Sequence, residues 1–333
     1  MKHFALKVLA LTCLLMFPAG PGLALAAEEI LCSTFPVYLF TRNILEGTTR
    51  FQATLLIDSQ LGCPHDYAPS PAELERLSQA EILIINGLGL EAFLTRSLGV
   101  AKAGLKIVDA SGGRDPGREP RSGATAVILD KESAARLLIH QHDGPNPHLF
   151  AAPGQAAAMV RNIGEALAGL DVDNTEIYLA NAARLASELE ALAASARSLG
   201  EELGRPKIIA SHGVFDYLAQ DMGLTIVTHI EEEDGAEPSA ARLADLVKQA
   251  RQEGVRAILT DPQGNLNLAR TLGAEAKVPV AVIDPVSAGP RDAPVDYYQK
   301  VMQTNLDVLK KLFSEPAPTA KEPAPAKGGR RGK

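Results

Sequence analysis

Twice along this chain, short apolar runs alternate with helical segments. The two series are separated by a stretch of about 30 residues without proline, 171–203. In the first series, 29–35, 51–57, 81–86 and 105–108 read as strands. Helices are predicted from Pro36 to about Leu45, over 71–79 and over 90–98. In the second, 207–210, 224–228, 257–260 and 278–283 read as strands, with helices over 214–222, 240–253, 264–276 and 295–313. Such alternation implies parallel strands joined by helical crossovers, an α/β fold. Aromatic content of 5% and the lack of Trp fit helix-rich α/β packing better than a β-sandwich. Between the series, a helix over 153–170 leads into the 171–203 stretch. There Ile177, Leu179, Ala183, Leu185, Leu189, Leu192 and Ala196 recur at roughly helical spacing. One helix of that length would span about 45 Å. Two readings stay open for it: a bridge between two lobes, or a long surface helix within one domain.

The ends are of another kind. Lys2 and Lys7 precede an apolar run from Val8 to Phe17, and Ala24-Leu25-Ala26 supplies a small-x-small cleavage site. Residues 1–26 therefore read as a secretory signal peptide, with the mature chain starting near Ala27. Thr12 before Cys13, inside the apolar run, argues against a lipoprotein anchor. Net charge is -7, and the two lysines of the signal leave -9 on the mature chain, which argues against a nucleic-acid-binding surface. Export leads to an oxidising compartment, where Cys32 and Cys63 either pair or leave Cys63 free beside His65. Residues 314–333, rich in Pro, Ala, Lys and Gly, read as a disordered tail.

Four residues at comparable places attract attention. His65 lies between a strand and a helix start marked by Ser70, Pro71 and Glu73. His148 sits in Asn146-Pro147-His148, just before the helix at Pro153. His212 follows the strand 207–210, and Asp284 follows the strand 278–283. Ligands of open α/β sheets bind beyond the carboxyl ends of the strands. Two of the four come from each half, so their site would lie in a cleft between lobes. Three imidazoles and a carboxylate suit Zn²⁺, and such a donor set also accepts other divalent transition metals. Asp261, after the strand 257–260, is an alternative to Asp284 or a support for it. His229 beside Glu231, Glu232 and Glu233 reads as part of a solvated acidic loop, and the His140/His142 pair as a loop feature.

The motifs around these residues are similar to those of the zinc/manganese solute-binding proteins of bacterial ABC importers. Pro64-His65-Asp66-Tyr67-Ala68-Pro69-Ser70 resembles the first-ligand motif of that family, and Asn146-Pro147-His148-Leu149-Phe150 the second. Ser211-His212-Gly213-Val214-Phe215-Asp216-Tyr217-Leu218 resembles the third, and Asp284-Pro285 the carboxylate-bearing last one. Glu237-Pro238-Ser239 and Asp261-Pro262-Gln263 look like two further family segments, and the resemblance runs collinearly from about Ile30 to Phe313. It implies two lobes, each a mainly parallel sheet flanked by helices, joined by one long rigid helix, with the metal site in the interlobe cleft. The corresponding lobes are 27–170 and 204–313, with 171–203 as the link. It further implies a monomeric periplasmic receptor, not an enzyme, that hands Zn²⁺, or less readily Mn²⁺, to a membrane permease with its ATPase. His212 at the third position is the residue that favours zinc. Two departures stand out. The His-rich loop of many zinc members is reduced to His140, His142 and Asp143, and Ala152 stands where the family has an acidic residue before Pro153.

Two other classes compete. A receptor for an iron chelate or cofactor would need a wider cleft lined by aromatics or Arg. An exported zinc hydrolase would need three protein ligands plus water, and no His-Glu-x-x-His or Gly-x-Ser-x-Gly pattern occurs in the sequence.

Overall fold

The computed structural model describes residues 27–61, 64, 67–113, 127–129, 144–231 and 238–314. The signal peptide, His65, Cys63, the His140/His142 pair and the tail lie outside them.

Two sheets form, one from each strand–helix series. In the first, β1 (Glu28–Cys32), β2 (Phe51–Leu55), β3 (Ile82–Ile85), β4 (Lys106–Asp109) and β5 (Val127–Leu129) lie in the order β2-β1-β3-β4-β5. All neighbours are parallel except the β4–β5 pair, which is antiparallel. The second sheet, from β6 (Lys207–Ala210), β7 (Thr225–His229), β8 (Ala257–Thr260) and β9 (Val280–Val282), runs β7-β6-β8-β9 and is parallel throughout. Each sheet therefore reverses its strand order once, between β1 and β3 and between β6 and β8. Those are the two crevices where α/β sheets offer ligand sites.

The helices follow from local signals. Before β3, α1 (Phe35–Ile44) has Pro36 in its first turn, and α2 (Pro71–Gln79) carries the full Ser70/Glu73 capping box. After β5 come α3 (Pro153–Leu170) and α4 (Thr175–Glu202), the latter 28 residues long. In the second half are α5 (Asp216–Met222), α6 (Ala240–Glu253), α7 (Leu266–Ala276) and α8 (Tyr297–Ser314). At about 42 Å, α4 packs on α1 and α3 of the first lobe and on α5 and α8 of the second, so it joins the two lobes. Among the described residues no helix is long and apolar enough to cross a membrane.

Three local expectations need correction. The segment 90–98 is not an α-helix but two 3₁₀ turns, Ala92–Leu94 and Ser97–Val100. Gly87, Leu88 and Gly89 all take positive φ, and the Glu91 carboxylate is used by backbone amides before the segment, which leaves no room for a regular first turn. Second, the region after β4 contributes an antiparallel edge strand that a three-residue apolar run does not announce. Third, the buried face of α4 begins at Tyr178 and continues through Ala182, Leu185, Ala186 and Leu189. Ile177 and Leu179, expected on that face, are 39% and 42% exposed. Tyr178 wins the inward position because its hydroxyl donates to Asp171 (2.7 Å) while its ring stacks on Phe51.

Candidate metal centre

The two lobes meet where the crevices of both sheets face each other. On the second lobe, β6 ends at Ala210 and is followed by Ser211 and His212; β8 ends at Thr260 and is followed by Asp261. His212 and Asp261 thus stand on either side of the β6/β8 crevice, with His212 Nδ1 3.6 Å from Asp261 Oδ2. Ser211 Oγ lies 3.2 Å from the same imidazole nitrogen. Asp261 is buried, and its Oδ1 accepts from the Gln263 amide. Gly264 matters here, because a side chain on it would press on Thr260 and Asp261 Oδ2. Burial lowers the pKa of His212 and so favours the neutral, metal-binding imidazole, against the opposing effect of Asp261.

Asp284 follows β9. Its Oδ1 accepts from the Val286 amide (2.8 Å), which closes a tight Asx turn. Asn305 of α8 grips the same residue on both sides: its Oδ1 accepts from the Asp284 amide, and its Nδ2 donates to the Asp284 carbonyl. Val286 sits at φ +63°, a costly conformation for a β-branched residue. The Asp284 pKa is raised, first by burial and then by the charge of Asp261. The Asp284 carboxylate, after β9, therefore carries its charge near that of Asp261, after the neighbouring β8, at a cost that a divalent cation would offset.

The first lobe supplies His148 from the 3₁₀ turn before α3, itself buried. Asn146 Oδ1 accepts from the His148 amide and lies 2.7 Å from its Nδ1. With Nδ1 as the donor in that bond, Nε2 is the nitrogen left for a metal. The loop is tied to its own sheet by Asn86, whose Nδ2 donates to the Pro147 carbonyl at the end of β3. It is tied to the second lobe by Asn146 Nδ2, which donates to the Gly213 carbonyl (2.6 Å) and Asp216 Oδ2 (3.1 Å).

The result is that the imidazoles of His148 and His212, one from each lobe, stand with ring centres 5.8 Å apart and planes at 81°. Two imidazoles bonded to one tetrahedral zinc at roughly 2.0 Å would have ring centres about 5 Å apart. The structure thus brings His148 and His212 together, with Asp261 beside them and Asp284 within its electrostatic reach. Among the described residues no group of three or more His, Cys, Asp or Glu side chains is close enough to hold an ion by itself. His65 lies outside those residues, but its anchors are described. Pro64 is buried, and the Tyr67 hydroxyl donates to the Glu73 carboxylate of the α2 capping box. Cys32 is a buried free thiol, its pKa pushed up to about 12 by desolvation.

His229 differs from its expected place in a solvated loop: its Nε2 lies 2.8 Å from Asp216 Oδ1. Ser211, Asp216 and Tyr217 lie within the third motif without a role of their own, and nothing in the sequence marks Asn305. Of the residues that shape the site, Asn146 has a readable signal, because an Asn two positions before a histidine is placed for an Asx bond to it.

A family model described as the periplasmic zinc-uptake complex component A, ZnuA, matches residues 30–312. The zinc-binding lipoprotein AdcA of Streptococcus pneumoniae is 28% identical over 298 residues, covering 87% of this chain and 56% of AdcA. The chain thus spans just over half the length of these streptococcal relatives. The high-affinity zinc uptake system protein ZnuA of Bacillus subtilis is 28% identical over 290 residues, 85% of this chain and 86% of that protein. Among solved structures, a crystal structure of ZnuA aligns with a TM-score of 0.67 at 26% identity, covering 86% of this chain and 98% of that one. FpvC of Pseudomonas aeruginosa in complex with Mn²⁺ shares the fold, with a TM-score of 0.70 at 23% identity over 86% of this chain and 98% of that chain. With a family match along most of its length and the same two-lobed architecture, the chain belongs to the ZnuA family of periplasmic zinc-uptake components.

Proposed function

We propose that this chain is the exported receptor of a zinc importer. It captures Zn²⁺ in the interlobe cleft and passes it to a membrane permease driven by an ATPase, and it catalyses no reaction. The proposed ligands are His65, His148, His212 and Asp284, with Asp261 held against His212 as a supporting carboxylate. The lobes run over 27–170 and 204–313, and 171–203 links them. The observation that carries this reading is the facing pair of imidazoles, His148 and His212, delivered from opposite lobes beside the buried carboxylate of Asp261, with the half-buried Asp284 near it. Zinc is the cargo that a three-imidazole, one-carboxylate set favours. The names of AdcA and of Bacillus ZnuA as zinc-binding and zinc-uptake proteins agree with it, while FpvC has been solved with Mn²⁺ and Ni²⁺.

The test is competitive calorimetric titration of the chain from Ala27 onward with Zn²⁺ and Mn²⁺, alongside His212→Ala. One tight zinc equivalent, lost in the variant, supports the proposal. Preferential Mn²⁺ binding would move the assignment from zinc to manganese. Absence of tight binding by either ion would sink the metal-receptor reading.

A further inference from the structure

The short helix α5 does more than follow His212. Its first residue, Asp216, accepts through Oδ2 from Asn146 Nδ2, the side chain that also orients His148. The next residue, Tyr217, donates its hydroxyl to the Asn146 carbonyl (2.8 Å). Near the far end, Asp221 faces the N-terminus of α3, the helix that follows the His148 turn. A side chain on Gly154 would lie 3.2 Å from Asp221 Oδ2. That end of α3 has no side-chain cap of its own, since Ala152 occupies the N-cap and the first turn carries no acid. Asp221 is pushed up in pKa by burial and held back by the Gly154 amide, so an acid from the second lobe lies against a helix end of the first that has no cap of its own. Tyr298 of α8 adds a buried bond from its hydroxyl to the Phe150 carbonyl (2.7 Å), within the same 3₁₀ turn.

Resting on the receptor reading above, we propose that α5 is an interlobe bracket in which Asp216 and Tyr217 are positioning residues. They hold the His148 turn against the His212 loop, so the two imidazoles form a preset pair before any metal arrives. Asp216 does not need to touch the ion. It fixes Asn146, Asn146 fixes the His148 ring, and His212 lies four residues before Asp216 on the same segment. A preset pair spares the ordering cost that two independently mobile lobes would pay on binding. His229 takes the remaining oxygen of Asp216, so that carboxylate is held from both sides.

The test compares wild type with Asp216→Ala, Asp216→Asn and Tyr217→Phe. Zinc affinity is measured by chelator competition, and hydrogen exchange of segment 146–156 is measured without metal. Loss of a group that orients a ligand typically costs about 10–100-fold in metal affinity. Asp216→Ala should weaken zinc binding by about tenfold or more and speed metal-free exchange across the His148 turn. Asp216→Asn retains the acceptor for Asn146 and should stay within about threefold of wild type. A loss in Asp216→Asn as large as in Asp216→Ala would overturn the proposal, since removal of negative charge near His212 would then suffice. Unchanged affinity and exchange in Asp216→Ala would overturn it as well. Tyr217→Phe removes a strap and no charge, and it decides the matter if Asp216→Ala does not fold: it should speed exchange in 146–156, and unchanged exchange refutes the bracket. If wild type itself binds no zinc, the receptor reading fails while the metal-free exchange rates still judge the bracket.

Discussion

Glu91 is a sharp place to test the energetics of this fold. Its side chain is fully buried at the crevice between β1 and β3, where it accepts from Ser33 Oγ (2.7 Å), the Asn86 amide (2.7 Å) and the Gly87 amide (3.2 Å). Burial, the largest influence, pushes its pKa from 4.5 up to about 7 despite these bonds, and the charge of Asp109 adds to the rise. The folded protein therefore holds a proton that the unfolded chain releases near 4.5. The Glu91 contribution to stability is fully present below 4.5 and is lost as pH rises toward about 7. At about 1.4 kcal/mol per pH unit, the loss is about 3 kcal/mol. Glu91→Gln removes this titration. Gln also turns an amide group toward a donor, which costs about 1–3 kcal/mol at every pH, so the pH dependence is the informative quantity. Urea unfolding of both proteins, metal-free, between about pH 5 and about pH 8 should show the wild type losing about 2.5 kcal/mol relative to Glu91→Gln. Parallel stability curves would refute the reasoning and show that Glu91 is ionised throughout the range.

Other outcomes follow from single contacts. Gly200→Ala would drive a methyl into the Met222 carbonyl where α4 meets the end of α5, and should cost about 1–3 kcal/mol in denaturant unfolding. Tyr298→Phe leaves the Phe150 carbonyl without its buried donor, and should cost about 1–3 kcal/mol by the same measurement. Zinc affinity should fall as pH is lowered, because a protonated imidazole cannot bind the ion. Burial depresses the His212 pKa below 6.5, so the decline due to that residue should begin below that pH in a competition titration. Saturating zinc at about 100 times Kd should add about 2.7 kcal/mol to stability, read as a raised midpoint, and His212→Ala should abolish the increase.

Much of the fold is legible because its signals are local. Ser70, Pro71 and Glu73 announce the start of α2, and the structure shows both halves of the capping box. Ser239 does the same for α6, and the apolar runs at 82–85 and 257–260 are strands buried on both faces. What escaped depends on partners distant in sequence. Tyr178 turns inward because Asp171 and Phe51 receive it, and periodicity alone puts Ile177 and Leu179 there instead. The segment 90–98 has helical composition, yet the amides of Asn86 and Gly87 claim the Glu91 carboxylate, and no pattern within the segment records that demand. The site divides in the same way. His148 and His212 stand out by motif, His148 by its place just before a helix and His212 by its place just after a strand. Asp216 and Asn305 act through Asn146 and the Asp284 backbone, across 70 and 21 positions of sequence; Asp216 lies in a motif that gives no hint of its partner, and Asn305 reads as an ordinary helix residue until the chain is folded.

Several features of the cleft are difficult to explain as devices for stability. Val286 is held in a left-handed conformation, at a cost of order 1–3 kcal/mol, by an Asx bond to Asp284 and by the Asn305 clamp. A glycine at position 286 would relieve that strain, and an asparagine at 284 would keep the turn without a buried charge. The charge of Asp261 adds to the cost of ionising Asp284, and burial favours the neutral form of His212 beside them. Each choice weakens the metal-free fold locally, and all of them face the same crevice. They become consistent once a divalent cation is placed there. The ion would offset carboxylate repulsion, use the neutral imidazoles as donors and justify a strained turn that aims an oxygen. The surrounding structure sustains that cost: α4 packs on helices of both lobes, and the straps from α5 and α8 hold the His148 turn from the second lobe. Interlobe packing and local strain in the cleft are therefore two parts of one arrangement, in which the protein is least at ease where the proposed metal would be received.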